Sequence, residues 1–477
     1  MAKPSIPAAV FGQRPAPSSG WVLAGLSLAM LLSALGTSVA NVALPTLARD
    51  LGASFQAVQW VVLAYLLAVT TLIVSVGRLG DVVGRRRLML AGLLVFTAAS
   101  AACAAAPTLA VLVAARAVQG LGAAIMMALA MAFVGEAIPK HRVGSAMGLL
   151  GTMSAVGTAL GPSLGGVLIA GLGWRSIFLV NLPLGLVALL LAARSLPDDR
   201  RDANPRARFD IPGTVLLVLA LAAYALAMTL GHGRFGLANV AWLAAALVAI
   251  ALFVVAEAKA ASPLVPLAMF RDRLLRGGFA MSALVTTVVM ATLVVGPFHL
   301  SGALGLDAAQ VGLAMSTGPI VAALTGVPAG RCVDRFGASA VTIAGLAATA
   351  IGALALATIP VRFGIAGYIA PLVVLTAGYA MFQAANNTAV MRDIEGNQRG
   401  VVSGMLNLSR NLGLITGASV MGALFAAASG MTEVATARPA AIASGMHATF
   451  AIGAALIAAA LAMAVVDRMV ALRAPAS

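Results

Sequence analysis

Long apolar segments alternate with short polar segments along almost the whole chain. Each apolar segment is long enough for a helix of roughly 17–25 residues to cross a bilayer, whereas the strands of a membrane barrel would give alternating segments of about ten residues. The pattern therefore predicts an all-α polytopic membrane protein with fourteen transmembrane helices, near residues 21–44, 58–78, 88–106, 109–134, 143–169, 176–194, 212–231, 239–257, 278–300, 309–329, 338–358, 365–390, 400–427 and 446–467.

The composition agrees with this prediction. The chain is 61% hydrophobic and only 9% charged, whereas about a quarter of the residues in a soluble domain are charged. Its formal net charge of +15 would suit a nucleic-acid-binding protein, but most of the 30 Lys and Arg lie in alternate loops and in the two tails. By the positive-inside rule these loops are cytoplasmic, so the charge indicates topology and no nucleic acid is expected. The basic residues expected outside are Arg49, Arg175, Arg234, Arg362 and Arg438.

Both termini are therefore expected in the cytoplasm, on a multi-pass protein of the inner membrane. Residues 1–20 are Pro-rich and predict a disordered tail, without a cleaved leader because the first apolar segment is too long for one. A second tail is expected at 468–477. Cys103 and Cys332 are predicted on opposite faces of the membrane, too far apart for a disulfide.

A short charged motif occurs twice. Gly77-Arg78-Leu79-Gly80-Asp81-Val82-Val83-Gly84 and Gly330-Arg331-Cys332-Val333-Asp334-Arg335-Phe336-Gly337 keep Gly, Arg, Asp and Gly at the same places. Each octet lies between the second and third apolar segments of one half of the chain. The chain is therefore predicted to consist of two related halves, as in transporters built from repeats.

The repeat sets the expected domain boundaries. A bundle of six helices is predicted over 21–194 and a second bundle of six over 278–467. The segment between them, 195–277, is predicted to contain a charged cytoplasmic loop at 195–211 and two inserted helices.

The two octets are candidates for a gate. Their glycines are expected to form a short cytoplasmic turn where helix ends approach closely, and the carboxylate and arginines could pair across neighbouring helix ends. Separating the halves on the inside would break these pairs and bias the inward–outward equilibrium. The alternative is a solvated turn that obeys the positive-inside rule. The candidate gate residues are Gly77, Arg78, Gly80, Asp81, Gly84, Arg85, Arg86, Gly330, Arg331, Asp334, Arg335 and Gly337.

Small residues four apart favour close helix packing at two further places. The fifth apolar segment contains Gly157-x3-Gly161-Pro162-x2-Gly165-Gly166, and the thirteenth contains Gly413-x3-Gly417. Small residues let two helices approach, and Pro with Gly permits a kink. General packing in a membrane explains much of this pattern.

Arg116, in the fourth apolar segment, is a candidate functional residue. It lies about 11 Å from the outer end of the segment at 1.5 Å per residue, and a charge at that depth is costly. Gln119, Gly120 and Gly122 follow it on the same helix. The alternative role is structural, with the guanidinium bonded to helix carbonyls.

Arg410 lies deeper, roughly 15 Å from the cytoplasmic end of its segment and so near the midplane. Asn407 shares its helix face, which favours a polar stripe that lines a cavity rather than one that faces lipid. A structural bond to carbonyls is again the alternative. Further polar candidates, each of which could equally hold helices together, are Gln59, Tyr65, Gln383, Asn386 and Asn387.

Acidic residues are missing where a proton relay would need them, because none of the 15 Asp and Glu falls in the middle of an apolar segment. His299, at the outer end of its segment, could titrate near neutral pH or could be a simple interfacial residue. The four His and two Cys are too scattered for a metal site, and the sequence contains no phosphate-binding loop. We expect no cofactor and no enzymatic activity.

Together these motifs resemble those of the major facilitator superfamily, and within it the fourteen-span drug:proton antiporters. The first octet, extended to Arg87, is similar to the superfamily's loop motif, and Arg116 with its neighbours is similar to the fourth-helix motif. The fifth-segment glycines resemble a motif associated with antiporters. Asn41-Val42-Ala43-Leu44-Pro45 and Gln59-Trp60 resemble first- and second-helix patterns of the group, and the two inserted segments match its central insert.

The resemblance implies a secondary transporter, functional as a monomer, that works by alternating access and exports small amphipathic compounds against proton entry. One position departs from the family pattern. An Asp commonly lies a few residues before the Asn41 stretch, and here that place is Gly36. Cationic drugs and carboxylate-based coupling therefore lose support. We hypothesise that Arg410 or Arg116 contacts an anionic, zwitterionic or neutral substrate, or modulates the protonation of a neighbouring group.

Two rival interpretations stay open. A transporter of the same fold could be dedicated to one metabolite or could work without protons. A membrane sensor or scaffold could use the basic loop at 195–211 for docking. Under the main interpretation the expected partners are a small-molecule substrate, protons and membrane lipid.

Overall fold

The computed structural model describes residues 19–138, 143–197, 199, 210–230, 236–260, 263, 265, 267–392, 394, 399–430 and 438–473. Nearly all of the tail predicted over 1–20, and most of the loop predicted over 195–211, lie outside the described residues. The described chain is almost entirely helical, with α1 (Ser19–Asp50), α2 (Phe55–Val83), α3 (Arg85–Ala105), α4 (Leu109–Ala137), α5 (Val143–Leu172), α6 (Ser176–Leu179), α7 (Asn181–Ser195), α8 (Ile211–Thr229), α9 (Leu237–Lys259), α10 (Arg273–Phe298), α11 (Ala308–Phe336), α12 (Ala338–Thr358), α13 (Gly364–Met391), α14 (Arg399–Thr416), α15 (Gly422–Ser429) and α16 (Pro439–Arg473).

Fourteen helical segments of the described chain are long and apolar enough to cross a membrane. Helices α6 and α7 together form one of them, and α14, a π-helical turn at Gly417–Met421 and α15 form another. The prediction of an all-α protein with fourteen transmembrane helices is confirmed. Because the number is even, Ser19 and Arg473 lie on the same side of the bilayer. We call this side the terminus face and the other side the opposite face.

Contacts between helices divide the molecule into two bundles. Helices α1 to α7 pack on one another, with α1 against α5 and α2 against α4, and we call them the N-terminal bundle. Helices α10 to α16 form the C-terminal bundle, with α10 against α14 and α12 against α13. Between the bundles in sequence, α8 packs on α2, and α9 packs on α8.

Helix α8 is hydrogen-bonded to both bundles. The indole nitrogen of Trp60 in α2 donates to the hydroxyl oxygen of Thr229 at 3.1 Å. The hydroxyl of Tyr224 donates to the hydroxyl oxygen of Thr416 in α14 at 3.2 Å. The inserted pair of helices therefore covers the line where α2 meets α14.

The predicted glycine pairs lie at equivalent places in the two bundles. A Cβ on Gly157 or Gly161 would overlap with α1, and a Cβ on Gly413 or Gly417 would overlap with α10. Only glycine lets the helices of each pair approach so closely. The repeat seen in the sequence is therefore a repeat in how α5 and α14 pack.

The prediction that the octets form turns is wrong for most of their residues. Helix α2 continues to Val83 and α11 continues to Phe336, so both octets are helical except for their last residue. Gly84 and Gly337 have φ of +101° and +82°, a conformation that glycine adopts without a steric penalty. In each octet this single glycine reverses the chain, since α3 and α12 begin at the next residue. The other glycines of each octet lie within a helix.

The apolar core joins the two bundles on the opposite face. One large cluster contains Phe55 of α2 together with Phe298 of α10 and Phe425 of α15. Towards the terminus face the N-terminal bundle has a separate cluster, which includes Leu88 and Phe133 and no residue of the C-terminal bundle among the described residues. Among the described residues, the two bundles therefore share buried apolar side chains only in the first of these clusters.

Candidate substrate site and gates

Arg116 is fully buried inside the N-terminal bundle. Its Nε donates to the carbonyl oxygen of Val61 in α2 at 2.8 Å, and a terminal nitrogen donates to Oε1 of Gln119 at 2.5 Å. The guanidinium also lies over the ring of Tyr65, 4.2 Å from its centroid, where the ring quadrupole attracts a cation. Protein groups therefore enclose this charge.

The neighbours of Arg116 extend these contacts to two more helices. Gln119 donates to the hydroxyl oxygen of Ser100 in α3 at 2.7 Å, and Tyr65 donates to the carbonyl oxygen of Ser33 in α1 at 2.8 Å. A Cβ on Gly120 would lie 2.6 Å from the carbonyl oxygen of Tyr65, so α4 and α2 need glycine there. These contacts connect four helices, α1, α2, α3 and α4, and they favour the structural role for Arg116.

Gly36 of α1 faces the same group of residues. A Cβ on Gly36 would lie 3.2 Å from the hydroxyl oxygen of Tyr65, so an acidic side chain at this position would reach towards the stacked Tyr65 and Arg116. Asn41 is fully buried in the same helix, and its amide nitrogen donates to the carbonyl oxygen of Thr37 at 3.2 Å. This hydrogen bond joins two residues of α1 and does not connect α1 to another helix.

Arg410 lies in a different environment, beside a polar cavity of about 50 Å³ in the C-terminal bundle. Helices α10, α13 and α14 form the cavity. Five polar residues predicted from the sequence come together here with three others, and the eight are Ser282, Thr286, Tyr379, Gln383, Asn386, Asn387, Asn407 and Arg410.

The polar groups of this cavity differ in whether they already form hydrogen bonds with the protein. The amide nitrogen of Asn386 donates to the carbonyl oxygen of Gly278 in α10 at 3.1 Å. Arg410 forms no hydrogen bond or ion pair with any described residue, although the Tyr379 hydroxyl is within electrostatic range of it. Asn387, the α13 residue of the cavity nearest to the terminus face, is exposed. The cavity therefore holds a half-buried cation and is accessible from the terminus face.

Gln59 lies at the boundary between the bundles. Its amide nitrogen donates to the carbonyl oxygen of Ala418, in the π-helical turn of the C-terminal bundle, at 3.0 Å. The same amide fills the space beside Gly422, where a Cβ would overlap it. Gln59 therefore connects the bundles near the opposite face and is not among the residues that line the Arg410 cavity.

Buried aromatic rings and small residues close the opposite face. The ring centroid of Phe55 lies 4.6 Å from that of Phe298 and 5.1 Å from that of Phe425. On α5, a Cβ on Gly166 would lie 2.9 Å from the Cα of Gly312 in α11. Gly166 and the backbone of Pro162 thus pack against Gly312 of the other bundle, whereas Gly165 packs against α1.

Asp199, which the sequence did not single out, contacts the helix after the first octet. Its carboxylate accepts hydrogen bonds from the backbone N–H groups of Arg86 at 2.7 Å and Arg87 at 3.2 Å. These are orphan donors in the first turn of α3, where the helix dipole favours an anion. A terminal nitrogen of Arg86 also donates to the carbonyl oxygen of Ala193 at 2.6 Å. The first octet is therefore tied to the chain that follows α7.

Only some of the side chains expected to form ion pairs within the octets belong to the described residues. The side chains of Arg78 and Asp81 lie outside the described residues. In the second octet, Arg331, Asp334 and Arg335 are exposed at the end of α11 and form no ion pair with any described residue. In this conformation the second octet resembles the solvated alternative.

His299 is buried at the opposite-face end of α10. Its ring stacks on that of Tyr368, with centroids 6.2 Å apart. It does not line the Arg410 cavity. Within the described chain, no group of His, Cys, Asp and Glu is arranged to hold a metal ion.

The sequence analysis did not predict several residues of the site. Ser282 and Thr286 are four apart in α10, a spacing that places both on the face that lines the cavity. This spacing was the available signal, but hydroxyl residues are common in membrane helices and also bond to their own backbone, as Thr286 does to Ser282 at 2.6 Å. Tyr379 and the three phenylalanines gave no pattern distinct from an apolar segment.

Comparison with known proteins identifies the family. The model of the Major Facilitator Superfamily matches residues 26–418, with a second match over 277–475. The riboflavin transporter RibZ of Clostridioides difficile (strain 630) is 30% identical over 406 residues, which cover 85% of this chain and 88% of that protein. The multidrug resistance protein Stp of Mycobacterium tuberculosis (strain CDC 1551 / Oshkosh) is 32% identical over 418 residues, which cover 85% and 75%.

A solved structure supports the fold independently of sequence. A bacterial homolog of the human lysosomal transporter Spinster, in an inward-facing and unoccupied conformation, superposes with a TM-score of 0.71 at 15% identity, over 98% of this chain and 100% of that one. The matches to the family model and to relatives at 30% identity or more agree with this likeness. The chain therefore belongs to the Major Facilitator Superfamily and is a membrane transporter.

Proposed function

We propose that the chain exports small amphipathic compounds from the cytoplasm across the inner membrane, by alternating access and in exchange for protons. The observation that carries this proposal is the asymmetry between the two faces. The bundles share one apolar core on the opposite face, while a polar cavity is accessible from the terminus face. A compound could enter such a protein from the terminus face only.

The direction of export depends on which face is cytoplasmic. Arg86, Arg87, Arg331 and Arg335 all lie at helix ends on the terminus face. The positive-inside rule assigns such a face to the cytoplasm. The conformation then corresponds to a transporter that is open to the cytoplasm, where an exporter takes up its substrate.

Release on the other side requires the bundles to separate on the opposite face and to close on the terminus face. Three contacts would have to break: the Phe55, Phe298 and Phe425 cluster, the approach of Gly166 to Gly312, and the bond of Gln59 to Ala418. These are apolar or neutral contacts, and neither of the ion pairs between described residues lies at this face. The second octet has exposed charges that could pair once the terminus face closes.

The names of the relatives support the export of drugs. Stp is named as a multidrug resistance protein, and a Streptomyces glaucescens relative, 30% identical over 425 residues, is named as a tetracenomycin C resistance and export protein. The antiporter-type glycine motif of α5 supports exchange for protons. We place the monomer, surrounded by lipid, as the functional unit.

A second candidate is an exporter dedicated to one metabolite. The observation in its favour is the riboflavin transporter among the relatives, which this chain matches over 85% of its length. A single-substrate protein would move one compound of a panel and ignore its near relatives. The sensor or scaffold alternative rests on the loop at 195–211, which lies largely outside the described residues.

Purified protein reconstituted in liposomes tests the proposal. A pH gradient is imposed, and internal pH and the uptake of cationic, neutral and anionic amphiphiles are followed together. Substrate movement with an opposing proton flux would support antiport. Substrate movement without proton flux would exclude antiport and leave a facilitator, and a proton flux without any substrate dependence would contradict both.

A further inference from the structure

The two arginines inside the membrane differ in whether they have hydrogen-bonded partners in the protein. Arg116 donates to a carbonyl and to an amide oxygen, lies over an aromatic face and is completely enclosed, with only its second terminal nitrogen lacking an acceptor. Arg410 has no hydrogen-bonded or ionic partner among the described residues and borders a cavity. A guanidinium has five N–H donors, so Arg410 has unused donors beside empty space.

The cavity contains no charge to balance Arg410. Among the described residues its lining includes amides, hydroxyls and apolar groups, but no Asp or Glu. An isolated charge near the centre of a membrane is costly unless it is paired or hydrated. An anion in the cavity would remove much of this cost, whereas a cation would add to it.

We infer that this cavity is the subsite for the anionic group of the transported compound, with a carboxylate-like group bound to the guanidinium of Arg410. A volume of about 50 Å³ accommodates such a head group but not a whole drug-sized molecule, for which pockets of roughly 300–1,000 Å³ are usual. The apolar body would lie outside the cavity, between the bundles. The inference rests on the proposed function, and it specifies the charge of the cargo.

Neutral groups around Arg410 complete the recognition. The planar guanidinium can donate two parallel hydrogen bonds to a carboxylate. Tyr379 and Gln383 line the same cavity and supply further donors, while the amide of Asn386 is already used on Gly278. An anion is therefore expected to depend first on Arg410 and second on Tyr379 and Gln383.

Three probes with the same ring and different charge test the inference: 1-naphthoate, 1-naphthamide and 1-naphthylmethylamine. Binding to the full chain in lipid nanodiscs is measured by calorimetry with gluconate as the buffer anion, and transport is measured in liposomes. We expect wild type to bind naphthoate most tightly. Arg410→Gln should weaken naphthoate binding by about tenfold or more and change naphthamide binding less than about twofold; Arg410→Lys should retain an intermediate affinity.

The control is Arg468→Gln, which removes the same charge from an exposed position on α16 and should leave naphthoate binding unchanged. Equal loss for naphthoate and naphthamide in Arg410→Gln would show a structural role and overturn the inference. So would wild-type protein that binds no naphthoate. If the wild type moves naphthamide or the amine but not naphthoate, the exporter proposal stands and the anion subsite fails.

A chloride arm separates an organic from an inorganic occupant. With chloride in place of gluconate, naphthoate should still bind to the wild type with less than a few-fold loss, because a carboxylate accepts two bonds from Arg410. If chloride abolishes naphthoate binding only when Arg410 is present, the cavity is an inorganic anion site and the assignment to cargo is wrong.

Discussion

The side-chain amide of Gln59 donates to the backbone carbonyl of Ala418 across the boundary between the two bundles, at 3.0 Å. The carbonyl belongs to a π-helical turn, which frees backbone oxygens from the α-helical pattern and is frequent at functional sites. Gly422, just beyond this turn, leaves the space that the amide occupies. The π-helical turn and Gly422, both in the C-terminal bundle, thus form a small pocket for the side chain of Gln59 from the N-terminal bundle.

Gly422→Ala should weaken closure of the opposite face, because the new Cβ would displace the side chain of Gln59 from this pocket. Loss of one buried hydrogen bond corresponds to about 1 kcal/mol, or roughly a fivefold increase in the open population. With Cys103 and Cys332 replaced by serine, the rate of thiol labelling of a cysteine placed at Val62, which is buried one turn from Gln59 on α2, would report this change. Gly404→Ala, in the same membrane segment but with open space around its Cβ, should label at the wild-type rate; equal rates for both variants would contradict the assignment.

Arg116→Gln and Arg410→Gln should differ in their effect on thermal stability. Removing Arg116 takes a second donor from the helical carbonyl of Val61 and leaves the amide oxygen of Gln119 unpaired in the protein interior, at a cost of about 1–3 kcal/mol for that buried oxygen. We therefore expect a lower midpoint of thermal unfolding for Arg116→Gln in detergent, and little change for Arg410→Gln, which breaks no bond to a described residue. The reverse order of midpoints would show that the roles of the two arginines are exchanged.

Asp199→Ala should loosen the first turn of α3. The substitution removes an acceptor from the N–H groups of Arg86 and Arg87, a loss of about 1 kcal/mol for a helix cap. Hydrogen exchange at these two amides should become roughly fivefold faster. Asp272→Ala is the matched control, because Asp272 accepts from the N–H groups of Leu274 and Leu275 at the start of α10; it should affect those amides and leave α3 unchanged.

Gly161→Ala and Gly417→Ala should both destabilise the protein, because each added methyl group overlaps a neighbouring helix within the same bundle. Overpacking of this kind costs about 1–3 kcal/mol. The yield of monodisperse protein after heating is a direct measure. Gly151→Ala adds the same group to α5 where nothing lies within 4 Å, and it should behave as wild type. A similar yield for all three variants would contradict the proposed repeat in helix packing.

The sequence predicts the fourteen helices well because apolar length is a local property. It also places Asn407 and Arg410 on one face, since three residues make almost one helical turn. The rest of the cavity comes from α10 and α13, and only tertiary packing decides which of their polar residues face α14. The Asp199 contact joins residues more than a hundred positions apart, so no local pattern announces it.

The glycines of the octets have different roles in the structure from the one that the sequence predicts. Their glycines suggested turns, yet only Gly84 and Gly337 have positive φ, and the preceding residues are helical. A glycine inside a membrane helix serves close packing as readily as chain reversal. Gly80, for example, lies in α2, where a Cβ would be 3.1 Å from the Leu129 side chain of α4.

Distances between spin labels on the two faces test alternating access most directly. With Cys103 and Cys332 replaced by serine, one pair of labels is placed at Asp50 and Ala428 on the opposite face and another at Val83 and Val401 on the terminus face. We expect a short, narrow distribution for the first pair and a longer one for the second in the resting protein. A transported compound or a pH gradient should then lengthen the first distance and shorten the second. A first pair that is already far apart at rest, or two distances that change in the same sense, would rule out alternating access from this conformation.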